Sequence, residues 1–85
     1  MSDRVTPDML DEEITKEEYQ VFGGRMTICV LTLKNGFMVD GVSSSVSQEN
    51  FDAEIGQKIA KANAREKIWP LLGFRLKDQL NAGET

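Results

Sequence analysis

Apolar and β-branched residues dominate the stretch from Arg25 to Lys34, RMTICVLTLK, which is the composition of a strand. On a two-residue period Thr27, Cys29, Leu31 and Leu33 share one face, and Met26, Ile28, Val30 and Thr32 share the other. Both faces are largely apolar, whereas a one-sided sheet in a small monomer alternates cleanly with polar residues. Two covers are therefore expected: the protein's own helix on one face, and another element or another subunit on the other. Asn35-Gly36 follows directly. This dipeptide between apolar runs predicts a type I′ hairpin turn, which needs positive φ at both positions. The return strand FMVDGVSSSV puts Phe37, Val39 and Gly41 on one side and Met38, Asp40 and Val42 on the other. Gly41 marks a bulge or a close approach. The antiparallel β-hairpin is predicted at about 25–34 and 37–46.

The period then lengthens to that of a helix, predicted at about 48–69 with Ser47 as its N-cap. Phe51, Ile55, Ile59, Ala62 and Trp69 form a bulky stripe. Ala53, Ala60, Ala64 and Ile68 form an opposite stripe of mostly small residues. The bulky stripe is expected to cover the hairpin, and the small stripe to let another helix come close. Pro70 lacks an amide donor and clashes one turn back, so the helix is expected to kink or end near Trp69. A second helical piece follows at about 71–81 with Leu72, Leu76 and Leu80 as its stripe, and the last residues read as a frayed tail.

Ahead of the hairpin, Thr6 can cap a helix with Pro7 at its first position, and Leu10 and Ile14 lie four apart. Tyr19 to Phe22 reads as a short strand, and Gly23-Gly24 as a turn. The expected architecture is α+β: an N-terminal helix or loop, the hairpin, a long C-terminal helix and a second helical piece, assembled as an oligomer. The 85 residues make a single domain, with 1–18 as an acidic and potentially flexible segment.

Composition narrows the chemistry. The chain has one cysteine, Cys29, and no histidine. Ser-His-Asp and Cys-His nucleophiles, zinc cages and iron–sulfur sites all lack their residues. No glycine-rich loop fits the Walker or dinucleotide patterns, so no cofactor is expected. An enzyme is the least expected class. The start, MSDRVTPDML, has no apolar run behind a basic end, so no signal peptide is expected, and no stretch is apolar enough to suggest a membrane partner.

Charge is divided along the chain. The net charge is −4, yet residues 1–18 carry −5 and residues 56–77 carry +5. On a helical wheel Lys58, Lys61 and Arg65 fall on one side between the stripes, while Glu66 and Lys67 fall on the other. A basic cluster of this kind suits an anion such as a phosphate, with Phe37 or Trp69 as a surface for a base. Trp69 reads more readily as core. An isoelectric point near 4.7 is not the footprint of a duplex nucleic-acid binder. The acidic segment could screen the basic part of a neighbouring subunit.

The run CVLTLKNGFMVDG, followed by SVSQENFDAEIGQKIAKANAREKIWPLLGFRL, resembles a family of small phage and prophage proteins. That family is marked by an NGF turn, an NFDxEIG stretch, a KIW motif and a leucine-rich end. The resemblance covers more than half the chain, and the first 24 residues lie outside it. This chain departs from the pattern at Ser45, where a Cys is common, and at Gln48, where a Pro is common. Some members of the family are anti-defence sponges. They bind the glycocyclic ADP-ribose messenger of the Thoeris system or the cyclic oligonucleotides of CBASS, and they assemble into oligomers.

The resemblance thus implies a phage anti-defence protein in the host cytoplasm that sequesters a cyclic nucleotide-type immune messenger without cleaving it. The expected partners are that small molecule and further copies of the chain, as a dimer or a hexamer, with the ligand between subunits. By their chemistry, Phe37 would stack on a base, Asn50 would make polar contacts, and Lys58, Arg65 and Lys67 would meet phosphates. Arg25 is a further ligand-binding candidate because it opens a strand facing a possible neighbour. The alternatives are a protein-interaction module that inhibits a host protein and a virion or assembly component.

Overall fold

The computed structural model describes residues 4–83. In chain order the elements are α1 (Pro7–Glu13), β1 (Ile14–Phe22), β2 (Met26–Leu33), β3 (Met38–Ser44), α2 (Ala53–Glu66) and α3 (Ile68–Gly83). The fold is α+β, but the predicted hairpin is two-thirds of a three-stranded antiparallel sheet in the order β1-β2-β3. The additional strand is β1, which extends the short strand expected at Tyr19 to Phe22 back through residues 14–18, expected to be helix or loop.

The first helix is short for a local reason. Thr6 caps it, its hydroxyl accepting the Met9 N–H at 3.3 Å, and Pro7 occupies the first turn. Leu10 and Glu13 are buried, but the expected Leu10–Ile14 stripe is not continued. Ile14 is already extended, with φ −80° and ψ 119°. β-branched Ile14 and Thr15 feed a strand whose register with β2 runs from Ile14–Leu33 to Phe22–Met26, with an irregularity between Ile14 and Lys16.

Turn chemistry also differs from expectation. Gly23 and Gly24 have φ of 60° and 64°, and the Arg25 N–H returns to the Phe22 carbonyl at 3.1 Å. The two positive φ values predicted for Asn35-Gly36 are found here instead. At the second turn only Gly36 is positive, at 88°. Gly36 N–H bonds the Leu33 carbonyl at 2.9 Å, and the Leu33 N–H bonds the Phe37 carbonyl at 2.8 Å. That pattern is a tight turn followed by a left-handed glycine, the three-residue alternative to type I′. The Asn35 side chain accepts the Phe37 N–H at 2.9 Å and braces it.

The core lies between one sheet face and α2. Thr27, Cys29, Leu31 and Leu33 of β2 are buried, with Val39 and Gly41 of β3 beside them. The helix meets them with its small stripe, reversing the expected assignment. Gly56, Ala60 and Ala64 are buried, whereas Ile55 and Ile59 of the bulky stripe stay 55% and 46% exposed. Gly41 is the cause. A Cβ there would collide with the backbone of Ala60 and Ala64, so the helix rests directly on β3 and only small side chains fit between. The four-residue line then runs on through Ile68 and Leu72 of α3, both buried. Trp69 is half-buried and packs against the same core.

Asp52, not Ser47, caps α2: its carboxylate accepts the Ile55 N–H at 3.1 Å. The helix therefore begins at Ala53, and Ser47 instead accepts the Asn50 N–H within a preceding turn, at 3.3 Å. The break between α2 and α3 falls at Lys67. Pro70 has no N–H to offer the Glu66 carbonyl four residues earlier, so the ladder is interrupted there and Pro70 itself sits in the first turn of α3. Residues 81–83 remain helical; the rest of the expected tail, like Met1 to Asp3 of the acidic start, lies outside the described residues.

Candidate functional site

The acidic segment and the basic helices meet within the one chain. Arg65 donates from both Nε and Nη2 to Oδ1 of Asp11, at 3.1 and 2.7 Å. Lys61 lies 3.2 Å from Glu17, which also accepts the Tyr19 hydroxyl at 2.7 Å. Arg75 grips Glu13 with two guanidinium nitrogens at 3.0 and 3.1 Å. Lys34 reaches Glu12 at 3.6 Å. The expected screening of a neighbour's cations is thus an intramolecular arrangement: α1 and β1 lie along α2 and α3, and carboxylates face cations across the join.

These contacts shift the acids. The Arg75 fork holds the Glu13 carboxyl below the usual carboxylate range against the opposing push of burial. The Tyr19 hydroxyl and then Lys61 do the same for Glu17. Burial, reinforced by Glu17, drives the Tyr19 phenol up. Burial also raises the Cys29 thiol, which keeps it protonated and disfavours its use as a nucleophile.

Between β1 and α2 lies a groove of about 530 Å³, lined by Lys58, Lys61 and Arg65 with Asp11, Glu17, Ile14 and Ala62. The three cations share one side of α2 because they are spaced three and four apart. Lys58 has no ion-pair partner among the described residues. The groove brings together two of the six predicted ligand residues, Lys58 and Arg65.

The other four lie elsewhere. Arg25 and Asn50 line a smaller hollow of about 140 Å³ at the entrance to α2, beside Ser43 to Ser45. Phe37 stands 54% exposed at the hairpin tip. There it lines a hollow of about 260 Å³ with Asn35, Phe74 and Arg75. Lys67 is on the opposite flank of α2, 3.1 Å from Asp40. Lys61, which the helical wheel places with Lys58 and Arg65, lines the groove as well, although it is not among the six predicted ligand residues. Phe74, 73% exposed, had no local signal, because its neighbour across the hollow comes from the hairpin.

In chemical terms the groove offers up to three cations to an anion, with an apolar floor at Ile14 and Ala62. Two of those cations are already engaged by carboxylates. Among the described residues no helix is long and apolar enough to cross a membrane.

Comparison with curated proteins and with solved structures finds no match. A family model does match, over residues 5–80, and so includes α1 and β1 as well as the motif-bearing region. On that coverage the chain belongs to the Phage protein (N4 Gp49/phage Sf6 gene 66) family.

Proposed function

We propose that the protein is a phage-encoded binder that captures a cyclic nucleotide-type immune messenger of the host and holds it without cleaving it. The observation that carries this reading is the convergence of Lys58, Lys61 and Arg65 on one groove. Its volume falls in the range of about 300–1,000 Å³ typical of small-molecule sites. Phosphates would form charge-assisted hydrogen bonds with these cations. Membership of a phage protein family supports the setting. The resemblance to anti-defence sponges supports the ligand class, with glycocyclic ADP-ribose and cyclic oligonucleotides as the members to try.

Phe37 and Asn50 retain their proposed roles in stacking and polar contact. They line hollows separate from the groove, so one ligand touching all of these residues would have to lie between subunits. The host cytoplasm is the compartment where such a messenger is met.

The test is calorimetric titration with glycocyclic ADP-ribose and a panel of cyclic di- and trinucleotides. Each complex is then heated and the released ligand is analysed by chromatography. Tight binding with intact ligand recovered supports sequestration. Altered ligand would make the protein an enzyme instead. Binding that survives Lys58→Glu with Arg65→Glu would remove the groove from the site.

A further inference from the structure

The tip of the hairpin and one face of α3 enclose a hollow of about 260 Å³ that shares no residue with the groove. On α3, Leu71, Phe74, Arg75 and Asp78 recur at helical spacing and so fall on one face. The end of β2 and the turn after it supply Leu33, Asn35 and Phe37. Phe37 and Phe74 are exposed aromatic walls. The polar groups beside them are only partly engaged. Arg75 is committed to Glu13 through both terminal nitrogens. Asp78 has no ion-pair or hydrogen-bond partner among the described residues. The Asn35 Oδ1 accepts the Phe37 N–H, which fixes the amide and leaves its NH2 group as an unused donor.

These groups select the occupant. An apolar side chain filling the hollow would cover a carboxylate and an amide without satisfying either, which is costly. The occupant has to be flat enough to lie on a phenylalanine ring, with donors for Asp78 and an acceptor for Asn35. A guanine base meets all three needs, because its Watson–Crick edge carries N1–H and N2–H donors beside the O6 acceptor. Adenine has one amino donor on that edge, and its N1 lone pair would face the carboxylate. Size agrees. The hollow is smaller than the roughly 300–1,000 Å³ of a site that encloses a whole small molecule, so it suits one ring system of a larger ligand.

We infer that this hollow receives a guanine base. Phe37 and Phe74 stack on the ring, the Asp78 carboxylate accepts from N1–H and N2–H, and the Asn35 amide donates to O6. The inference rests on the proposed function, in which Phe37 stacks on a base of the messenger, and adds which base that is. Of the messengers to try, it selects guanine-bearing cyclic oligonucleotides over the adenine of glycocyclic ADP-ribose.

Chemical-shift titration of the isotope-labelled full chain with GMP, inosine monophosphate and AMP, up to about 10 mM, tests it. The three carry the same phosphate, so differences in affinity report the base. GMP is expected to bind about tenfold tighter than AMP, as a bidentate base contact allows. Inosine monophosphate, which lacks the N2 amino group, is expected to fall between them. Asp78→Asn should abolish the preference, and Phe74→Ala should weaken all three by about tenfold. Both of these side chains are exposed, and circular dichroism reports the fold. Cyclic di-GMP is expected to displace GMP, and cyclic di-AMP is not. Equal affinity for GMP and AMP, or no binding of any of the three, overturns the inference without recourse to a variant. A preference that survives Asp78→Asn overturns it as well. Cyclic di-GMP that leaves GMP in place overturns the messenger as the source of the base. Messenger binding in the calorimetric assay with no base preference here removes the guanine assignment alone. A base preference here with no messenger bound there removes the proposed function and leaves the guanine site.

Discussion

Gly41 decides which face of α2 is the inside. The alanine stripe was legible in the sequence as a surface for close approach, and close approach is what it makes. What periodicity could not say was against which partner. Bulky residues usually mark the buried face of a helix, and here that expectation points the wrong way. A glycine in the facing strand admits the helix backbone itself, leaving no room for Ile55 or Ile59. Gly41→Ala should therefore destabilise the fold by about 3 kcal/mol, since the colliding atoms are backbone and cannot rotate away. Equilibrium urea unfolding would measure it, and a change below about 0.5 kcal/mol would mean the helix can slide aside. Thr27 makes the opposite prediction. Its hydroxyl is buried beneath Gly56 and has no hydrogen-bond partner among the described residues. Thr27→Val keeps the shape and removes an unsatisfied polar atom, so it should raise stability by about 1 kcal/mol in the same assay.

Among the elements, β2, β3 and the helical pieces were legible because each has a strong period of its own. β1 was not. Its residues ITKEEYQVF alternate poorly and are rich in charge, because it is an edge strand whose inward side faces cations on α2 as well as core. Glu17 opposite Leu31 and Tyr19 opposite Cys29 make sense only once Lys61 is known to lie above them. The same long-range partners explain why the acidic segment reads in the sequence as a screen for the basic part of a neighbouring subunit. Glu13 gives this a pH signature. The Arg75 fork holds its carboxyl lower in the folded protein than the ordinary glutamate value of 4.5. It therefore stabilises the fold above that value, and the contribution is lost as pH falls through the lower folded value. Glu13→Gln should lose about 1–2 kcal/mol at neutral pH, where the wild type holds a charged fork on Arg75. Below about pH 4 the gap should narrow. Denaturant midpoints at pH 7 and pH 3 would show it, and parallel pH profiles for the two proteins would contradict the pairing.

At the scale of the whole molecule, extents of 58 × 20 × 15 Å and a radius of gyration of 15.8 Å exceed the ~12 Å expected of a compact domain of this length. The excess length leaves a long join along which α1 and β1 carry negative charge and α2 and α3 positive charge. At that join the groove's own carboxylates occupy the positions that a bound anion would want. Asp11 and Glu17 already satisfy Arg65 and Lys61, so an incoming phosphate must replace them at those two cations. Each such pair is exposed and adds at most about 1 kcal/mol to the fold, so losing both should leave the protein folded. Their loss would free two cations for the ligand. For the proposed messenger, Asp11→Asn with Glu17→Gln should then bind about tenfold tighter than the wild type at low salt. The advantage should shrink toward high salt as all groove charges are screened. Calorimetric titration at both ionic strengths reads this directly. Lys58→Ala, which removes the cation that has no internal competitor, should weaken binding in both backgrounds. If the double variant binds no better than the wild type while remaining folded, the ligand does not meet Lys61 and Arg65. The hollows at Phe37 and Asn50 would then be the places to look.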